Sequence, residues 1–239
     1  MPIWNEARLI NRIQISPTTY HLVLEQMEGD FNFLAGQFIT LDLPIGEKRL
    51  DRWRSYSISG RTLQANQFEL CIGLVPHGKG STYLCKELTV GELIRFKSPS
   101  GTFTLKTDRV DRIILVATGT GIAPFRAMLR DHLSDIVLPI HLVFGCRTEE
   151  EILYRSEMSD MTARHPNFSY DICLSRSQAE GCHQGYVHSR YTPIIQEYGQ
   201  SERIHVYLCG WQHMVDEASQ RLTRELGLSS SQVHIELYG

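Results

Sequence analysis

Hydrophobic and polar residues alternate over short stretches in the first half of the chain, from about residue 7 to residue 105. The stretches are rich in β-branched, aromatic and leucine side chains, and Gly, Pro, Asn or Asp bounds each of them, which is the pattern of half-buried strands joined by turns. Six strands are predicted, at residues 7–16, 19–26, 37–43, 53–59, 67–75 and 93–97. Strands of this length and spacing indicate an antiparallel barrel or sandwich, and one helix is predicted among them at residues 81–88.

The pattern changes at about residue 112, where strand-like runs begin to alternate with helix-like runs. Strands are predicted at residues 112–117, 140–144, 168–174, 205–208 and 233–238, and helices at 123–133, 154–164, 191–198 and 213–226. This alternation predicts βαβ units and a parallel sheet. The run 113–116 is apolar throughout, as expected for a strand covered on both faces. A charged, polar stretch at 106–111 marks the boundary, so we predict domains at residues 1–107 and 108–239.

Composition and charge narrow the class of protein. The chain has 239 residues, of which 42% are hydrophobic and 21% charged, as in ordinary globular proteins. No apolar run approaches the roughly 20 residues of a membrane helix, and no signal peptide is visible, so we expect a cytoplasmic protein that does not enter a membrane. The net charge of −3 argues against nucleic-acid binding. Residues 1–107 hold 12 basic and 10 acidic side chains, and the remainder 12 and 17.

The six cysteines give no sign of a metal site. They are Cys71, Cys85, Cys146, Cys173, Cys182 and Cys209. No pair has the spacing of a zinc ligand set, and no run matches that of a plant-type iron–sulfur cluster. Without a secretory signal a disulfide framework is not expected. We therefore predict buried apolar thiols and no metal.

A glycine-containing turn follows the apolar strand at residue 117 and precedes a helix. Its sequence is Thr118-Gly119-Thr120-Gly121-Ile122-Ala123-Pro124. Glycine lets the backbone approach a ligand, and a helix start offers free N–H groups to a phosphate. Pro124 suits the first helical turn, where no N–H is needed. The turn predicts a phosphate site, although a tight strand-to-helix turn without a ligand would look the same.

Two segments of the first half carry a similar signal. Arg54-Ser55-Tyr56-Ser57 combines an arginine that can hold a phosphate, an aromatic ring that can stack and a small hydroxyl. Gly78-Lys79-Gly80-Ser81-Thr82 precedes the one predicted helix and reads as a second phosphate site, in which Gly80, Ser81 and Thr82 contribute. The alternatives are an ordinary exposed strand for the first segment and a simple helix cap by Ser81 for the second.

These motifs occur in the same order in one family of flavoproteins. The resemblance covers nearly the whole chain and rests on seven segments: Arg54-x-Tyr56-Ser57; Leu70-Cys71 with Gly78-x-x-Ser81 and Tyr83-Leu84-Cys85; Ser98-Pro99-Ser100-Gly101; the 118–124 turn; Gly145-Cys146-Arg147 with Tyr154; Cys209-Gly210 with Met214; and Glu236-Leu237-Tyr238. Each segment alone is weakly specific, but seven in the right order are strongly specific. The chain resembles the ferredoxin–NADP reductase superfamily.

The resemblance implies a six-stranded antiparallel FAD-binding barrel followed by a five-stranded parallel α/β domain for a nicotinamide nucleotide, with FAD in the cleft between them. It implies that Arg54, Ser81 and Thr82 hold the FAD diphosphate. It also implies that Tyr56 stacks on one face of the isoalloxazine and that Ser57 bonds near flavin N5.

The resemblance assigns further residues to the nicotinamide side of the flavin. Tyr238 would cover the second flavin face, Cys209 would press against the nicotinamide ring, and Glu236 would assist proton transfer near Ser57. The turn at 118–124 would hold the nucleotide diphosphate.

The choice of nucleotide is less sharply defined. Ser175 and Arg176 match the pair that grips the adenosine 2′-phosphate of NADPH in this superfamily, and Tyr186 is placed to stack on adenine. Because members that use NADH also carry Ser-Arg, NADPH is favoured only slightly over NADH.

The implied activity is electron transfer from NAD(P)H through FAD to a separate protein, which is a small acidic ferredoxin or flavodoxin or an oxygenase component. The predicted docking surface is the weakly basic first half, with Arg49 and Arg52 near the flavin edge. An NAD(P)H:free-flavin reductase is the main alternative, and Glu236 and Tyr238 argue against it. An electron-transfer subunit of a larger complex would carry a cysteine-rich motif near its end, which is missing here. Nothing in the sequence demands more than a monomer.

Overall fold

The computed structural model describes residues 4–198 and 203–238. The chain divides into two compact units. One is formed by Met1–Thr104 with Ala123–Arg130, and the other by Leu105–Ile122 with Asp131–Gly239. The predicted boundary between residues 107 and 108 stays a prediction.

The first unit is built on a closed antiparallel barrel with strand order β1-β2-β5-β4-β3-β6. Its strands are β1 (Asn5–Ser16), β2 (Thr19–Gln26), β3 (Phe38–Asp42), β4 (Trp53–Arg61), β5 (Gln67–Gly73) and β6 (Leu93–Ser100). Aromatic rings fill the interior: Phe31 stacks on Phe68 with 3.9 Å between centroids, and Phe96 lies 5.5 Å from Phe68. Each strand turns one face inward, so that its alternate apolar residues pack inside the closed barrel.

Two short helices and part of a longer one complete the first unit. Helix α1 spans Arg49–Arg52, and α2 spans Lys79–Thr82 and continues into a π-helical turn, Tyr83–Glu87. Residues 123–130 come from helix α3 (Ile122–His132). The structure extends one predicted strand: β6, predicted at residues 93–97, continues to Ser100, because this part of β6 pairs with β3 through Phe38 and Ser100.

The second unit is a parallel sheet with strand order β10-β9-β8-β7-β11-β12. Its strands are β7 (Arg112–Thr118), β8 (Ile140–Cys146), β9 (Phe168–Leu174), β10 (His183–Gln184), β11 (Ile204–Gly210) and β12 (Val233–Leu237). Strand β7 lies inside the sheet, and its residues 113–117 are fully buried. The fold class is confirmed. The sheet has six strands rather than the expected five. The additional strand is β10, which was not predicted because two residues are too few to show a hydrophobic period.

Three further helices connect the strands of the second unit. They are α4 (Arg155–Arg164), α5 (His188–Tyr198) and α6 (Gln212–Gln220), and α6 continues into a π-helical turn, Arg221–Glu225. A 3-10 turn, Gly119–Gly121, joins β7 to α3. Over residues 4–198 and 203–238, no helix is long and apolar enough to cross a membrane.

Candidate functional site

The first unit brings Arg54 of β4 against the start of helix α2. A Cβ atom added to Gly80 would lie 2.9 Å from Cγ and 3.3 Å from Nε of Arg54. The arginine is half-buried, and its Nη1 donates to the carbonyl oxygens of Leu50 (3.1 Å) and Trp53 (2.8 Å). Two segments that the sequence marked separately as phosphate sites therefore meet, and glycine at position 80 makes that approach possible.

The hydroxyl of Ser81 has a different role from its neighbours. It accepts a hydrogen bond from the backbone N–H of Val75 and donates one to the carbonyl of Gly78, both at 3.1 Å. Ser81 is buried. The hydroxyl thus closes the loop that precedes α2. Ser81 is not the helix cap that the alternative interpretation expected, because it lies inside α2 and Gly78 holds the N-cap position. Its contribution to a phosphate site stays a prediction.

A pocket of about 310 Å³ opens beside helix α2. Its lining residues are Pro44, Ile45, His77, Lys79, Thr82 and Glu87. Thr82 is the only predicted site residue among them. Lys79 lies in the 78–82 segment that the sequence analysis interprets as a phosphate site. The other four were missed, because a proline after a strand or a histidine in a turn gives no signal of its own in the sequence.

Tyr56 and Ser57 lie next to each other on β4 and face different surroundings. Ser57 is buried, whereas Tyr56 is half-buried. Burial raises the pKa of the Tyr56 phenol far above its usual range; the nearby Cys85 thiol raises it further, and the charge of Arg54 opposes the rise. The phenol is therefore neutral at any physiological pH and presents an uncharged ring.

In the second unit, the ends of β7 and β11 interlock through glycines. A Cβ atom on Gly121 would lie 2.3 Å from the carbonyl oxygen of Cys209. Gly210 has a φ of +136°, and a Cβ there would lie 2.3 Å from Oγ1 of Thr118. No side chain fits at either position, so the predicted turn is fixed at the carboxyl edge of the sheet, where ligands of open α/β sheets bind.

Cys209 and Glu236 lie on the neighbouring strands β11 and β12, and Tyr238 directly follows β12. Cys209 pairs with Glu236 in the β11–β12 register, and its thiol is hydrogen-bonded to Tyr238. Burial raises the pKa of the thiol well above its usual range; the Glu236 carboxylate adds to this rise, and the bond with Tyr238 opposes it. The thiol stays protonated and uncharged. The predicted pairing of Glu236 with Ser57 joins the two units and stays a prediction.

The predicted adenosine-binding residues follow strand β9. The backbone N–H of Ser175 donates to the carbonyl of Cys146 at 3.0 Å, and that of Arg176 donates to Arg147 at 2.8 Å. Both bonds involve only backbone atoms, and the Arg176 side chain is exposed. Tyr186 is 65% exposed and stacks on His188 with 5.7 Å between centroids. The backbone is thus fixed while both side chains remain accessible.

One further residue of this edge escaped the sequence analysis. Trp211 follows Gly210 directly and is 70% exposed, and its backbone N–H donates to Oγ1 of Thr118 at 3.1 Å. A tryptophan is usually interpreted as a core residue. The sequence signal that could have identified Trp211 is its position directly after Cys209-Gly210.

The cysteines and possible metal ligands give simpler results. All six cysteines are free thiols, and four of them are buried. In the part of the chain that the structure describes, no three His, Cys, Asp or Glu side chains are placed to hold a metal ion.

Comparisons with known proteins identify the domains of both halves of the chain. A family model described as an oxidoreductase FAD-binding domain matches residues 6–105, and one described as an oxidoreductase NAD-binding domain matches residues 115–220. The chain is 34% identical to ferredoxin–NADP reductase B of Sorangium cellulosum, over 98% of this chain and 97% of that protein. It is 30% identical to the anthranilate 1,2-dioxygenase electron transfer component of Acinetobacter baylyi, over 94% of this chain but 64% of that protein.

Solved structures show the same fold. A ferredoxin NADP+ reductase from Neisseria gonorrhoeae with bound FAD and NADP has a TM-score of 0.82 at 19% identity, over 98% of both chains. The ferredoxin reductase of a carbazole 1,9a-dioxygenase has a TM-score of 0.79 at 21% identity, over 99% of this chain and 70% of that one. At these identities the likeness concerns the fold alone.

Proposed function

This chain belongs to the ferredoxin–NADP reductase superfamily, and on that premise we propose that it takes electrons from NADPH and delivers them, through FAD, to a small acidic electron-transfer protein or an oxygenase component. It is an FAD-dependent NAD(P)H oxidoreductase that passes electrons to a partner. The preference for NADPH, the acceptor and the roles of single residues are the proposal. The observation that carries it is the set of Cys209 and Glu236 on neighbouring strands with Tyr238 directly after the second strand.

The residues of the first unit fit FAD. Gly80 has no side chain at the point where Arg54 packs against α2, and the pocket of about 310 Å³ beside α2 lies at the lower limit of the volumes of small-molecule sites. We assign Arg54 and Thr82, with the backbone of Gly80, to the diphosphate. Tyr56, neutral and half-buried, supplies a flat face for the isoalloxazine ring.

Bound FAD supplies the redox chemistry: it accepts a hydride from a nicotinamide and releases electrons one at a time. The residues of this chain bind FAD and the nucleotide, orient them and exclude water. The protonated Cys209 thiol offers an uncharged, buried surface to the nicotinamide ring. Tyr238 is hydrogen-bonded to that thiol, so that displacing its ring costs one hydrogen bond. Glu236, two residues earlier on β12, is the carboxylate assigned to proton transfer near Ser57.

The nucleotide is assigned to the carboxyl edge of the second unit. The turn at 118–121 and the helix start with Pro124 offer backbone N–H groups to the diphosphate. Arg176 is exposed and suits a bidentate contact with the 2′-phosphate of NADPH, with Ser175 beside it. Tyr186 would meet the adenine.

The acceptor is assigned to a basic surface on the first unit. Arg49 lies with its guanidinium carbon 4.6 Å from the centre of the Trp53 ring, and Arg52 pairs with Asp42 at 2.7 Å. Positive charge on such a surface steers an acidic partner and accelerates its association. Reversing the charge of Arg49 (Arg49→Glu) should slow electron delivery to ferredoxin several-fold at low salt and leave flavin reduction by NADPH unchanged. The matched control is Arg164→Glu on helix α4.

The first experiment is an anaerobic titration of the purified holoprotein with NADPH and then NADH, followed by ferredoxin. Tight FAD that one nucleotide bleaches, with electrons passed on to ferredoxin, is the expected result. Loss of flavin on dialysis, with reduction of added free flavin only, would instead identify a free-flavin reductase. Arg54→Ala should lose FAD, whereas Arg61→Ala, which changes an exposed arginine on the same strand, should retain it.

A further inference from the structure

Trp211 stands between strand β11 and helix α6, beside the turn assigned to the nucleotide diphosphate. Its backbone has φ −62° and ψ 131°, and it forms the N-cap position of α6. The backbone N–H already binds Oγ1 of Thr118 at 3.1 Å. The main chain of Trp211 therefore ties β11 to the end of β7 without help from its side chain.

The indole ring lies against Gly119 with its nitrogen edge. A Cβ atom built on Gly119 would lie 3.2 Å from Nε1 and 3.8 Å from Cδ1 of Trp211. Gly119 also has a φ of +53°, which disfavours side chains. Glycine at this position leaves room for the N–H edge of the indole directly beside the turn.

The side chain is placed unusually for a tryptophan. It is 70% exposed, although tryptophan is highly buried on average. Among residues 4–198 and 203–238, no acceptor binds its indole N–H; the only hydrogen bond of Trp211 to a side chain is the one that its backbone donates. A large apolar ring and a donor are thus both left open at the same edge of the sheet.

We propose that Trp211 is a nucleotide-binding residue, which donates its indole N–H to an oxygen of the dinucleotide diphosphate. The indole nitrogen is a donor only, and a diphosphate oxygen is an acceptor only. Hydrogen bonds to charged acceptors are about twice as strong as neutral ones. The indole ring also shields one side of the turn from water, which strengthens the contact.

A purely structural role accounts for less of the geometry. A structural tryptophan would bury its ring, and the bond that fixes the loop comes from the backbone, which any residue other than proline could supply. The proposal rests on the assignment of the turn at 118–121 to the nucleotide, and it adds to that site a residue that follows the adjacent strand β11.

The test uses holoprotein labelled with 15N in its indole groups. The chain has three tryptophans, and the signal of Trp211 is the one lost in Trp211→Phe. The probes are the oxidised form of whichever nucleotide reduces the flavin and an adenosine fragment without a diphosphate, adenosine 2′-monophosphate for NADP+ or adenosine for NAD+. We expect the Trp211 N–H signal to shift with the dinucleotide and to stay in place with the fragment.

Affinity gives the second readout. Trp211→Phe should raise the Kd of the dinucleotide roughly tenfold, as expected for one lost hydrogen bond to a charged group. It should leave the Kd of the fragment and the FAD content unchanged, and Trp4→Phe is the matched control. An unmoved indole signal, or equal weakening of dinucleotide and fragment, would overturn the proposal. Failure of the proposed function would be distinguishable, because the wild-type protein would then lose its flavin on dialysis and reduce only added free flavin.

Discussion

The replacement Glu69→Gln should destabilise the first unit strongly at neutral pH. Glu69 lies on strand β5 and is buried. Its Oε2 accepts hydrogen bonds at 2.6 Å from Arg126 and from Arg130 of helix α3, and His21 lies 3.6 Å from Oε1. Glutamine keeps the size of the side chain and removes its charge, so the two guanidinium groups lose the carboxylate that they share.

The pKa of Glu69 sets the magnitude of this effect. Burial alone would raise the pKa, but the hydrogen bond with His21 and the charges of Arg126 and Arg130 outweigh it and lower the pKa from 4.5 to about 2. A shift of that size corresponds to about 3 kcal/mol of stability. Breaking a buried ion pair by removing one partner typically costs about 3–5 kcal/mol. We therefore expect a loss of about 3 kcal/mol.

The effect has a defined pH dependence. Because the pKa is lower in the folded than in the unfolded protein, the carboxylate of Glu69 stabilises the fold fully above about pH 4.5, and this contribution disappears as the pH falls towards 2. The difference between wild type and Glu69→Gln should therefore narrow from about 3 kcal/mol at pH 7 to about 1.5 kcal/mol near pH 3.

Urea unfolding at fixed FAD concentration measures this difference. With a slope of about 2 kcal/mol/M, the midpoint should fall by roughly 1.5 M at pH 7. Glu25→Gln on the adjacent strand is the matched control. Glu25 forms a partly exposed 4.0 Å pair with Arg8 and accepts a 3.5 Å hydrogen bond from Gln67, and exposed ion pairs of this kind contribute about 0–1 kcal/mol. A loss below about 1 kcal/mol for Glu69→Gln, or a difference that stays constant with pH, would refute the reasoning.

Four further predictions concern the second unit. Gly121→Ala should weaken nucleotide binding at least tenfold while FAD remains bound, because the new Cβ would lie 2.3 Å from a backbone oxygen; titration with NADP+ measures it, and unchanged affinity would contradict it. Cys209→Ala should slow flavin reduction in stopped flow without loss of FAD, whereas a normal rate would exclude the assigned role. Tyr238→Ser should increase the charge-transfer absorbance on addition of NADP+, because the competing ring is gone; an unchanged spectrum would remove Tyr238 from the site. His234 has its pKa lowered to about 4 by burial, by Lys106 and by His205, so stability should fall as the pH drops from 6.5 towards 4. His234→Gln should flatten that slope in urea melts, and a slope unchanged from wild type would contradict this origin.

The strands could be predicted from the sequence because a hydrophobic period of two residues is a local property. Strand β2 was predicted with both of its ends, and the others of the barrel within a few residues. Strand β10 was missed because two residues cannot show a period. The predicted strand at 93–97 stopped short of residues 98–100, which resemble a turn of the superfamily, whereas pairing of β6 with β3 keeps them extended.

The motifs of the site could also be recognised in the sequence because each is local, but the contacts between motifs could not be predicted. Arg54 and Gly80 lie far apart in the sequence, and their contact follows from the barrel topology. The pair of Glu69 with Arg126 and Arg130 spans 57 and 61 residues. Neither the charges nor their spacing distinguish these three from solvated side chains, so only the folded chain reveals the buried ion pairs.

The glycines of the nucleotide turn show why a motif alone leaves its ligand open. Gly121 and Gly210 are required by packing, because a side chain at either position would meet backbone or side-chain atoms of the facing strand at 2.3 Å. These two would be needed in a bare turn as well. Gly119 is different: a Cβ there would contact only the exposed indole of Trp211, which the packing of the sheet does not need. The φ of +53° at Gly119 nevertheless favours glycine with or without a ligand. The feature that favours a ligand is therefore the open indole N–H beside Gly119, rather than the number of glycines.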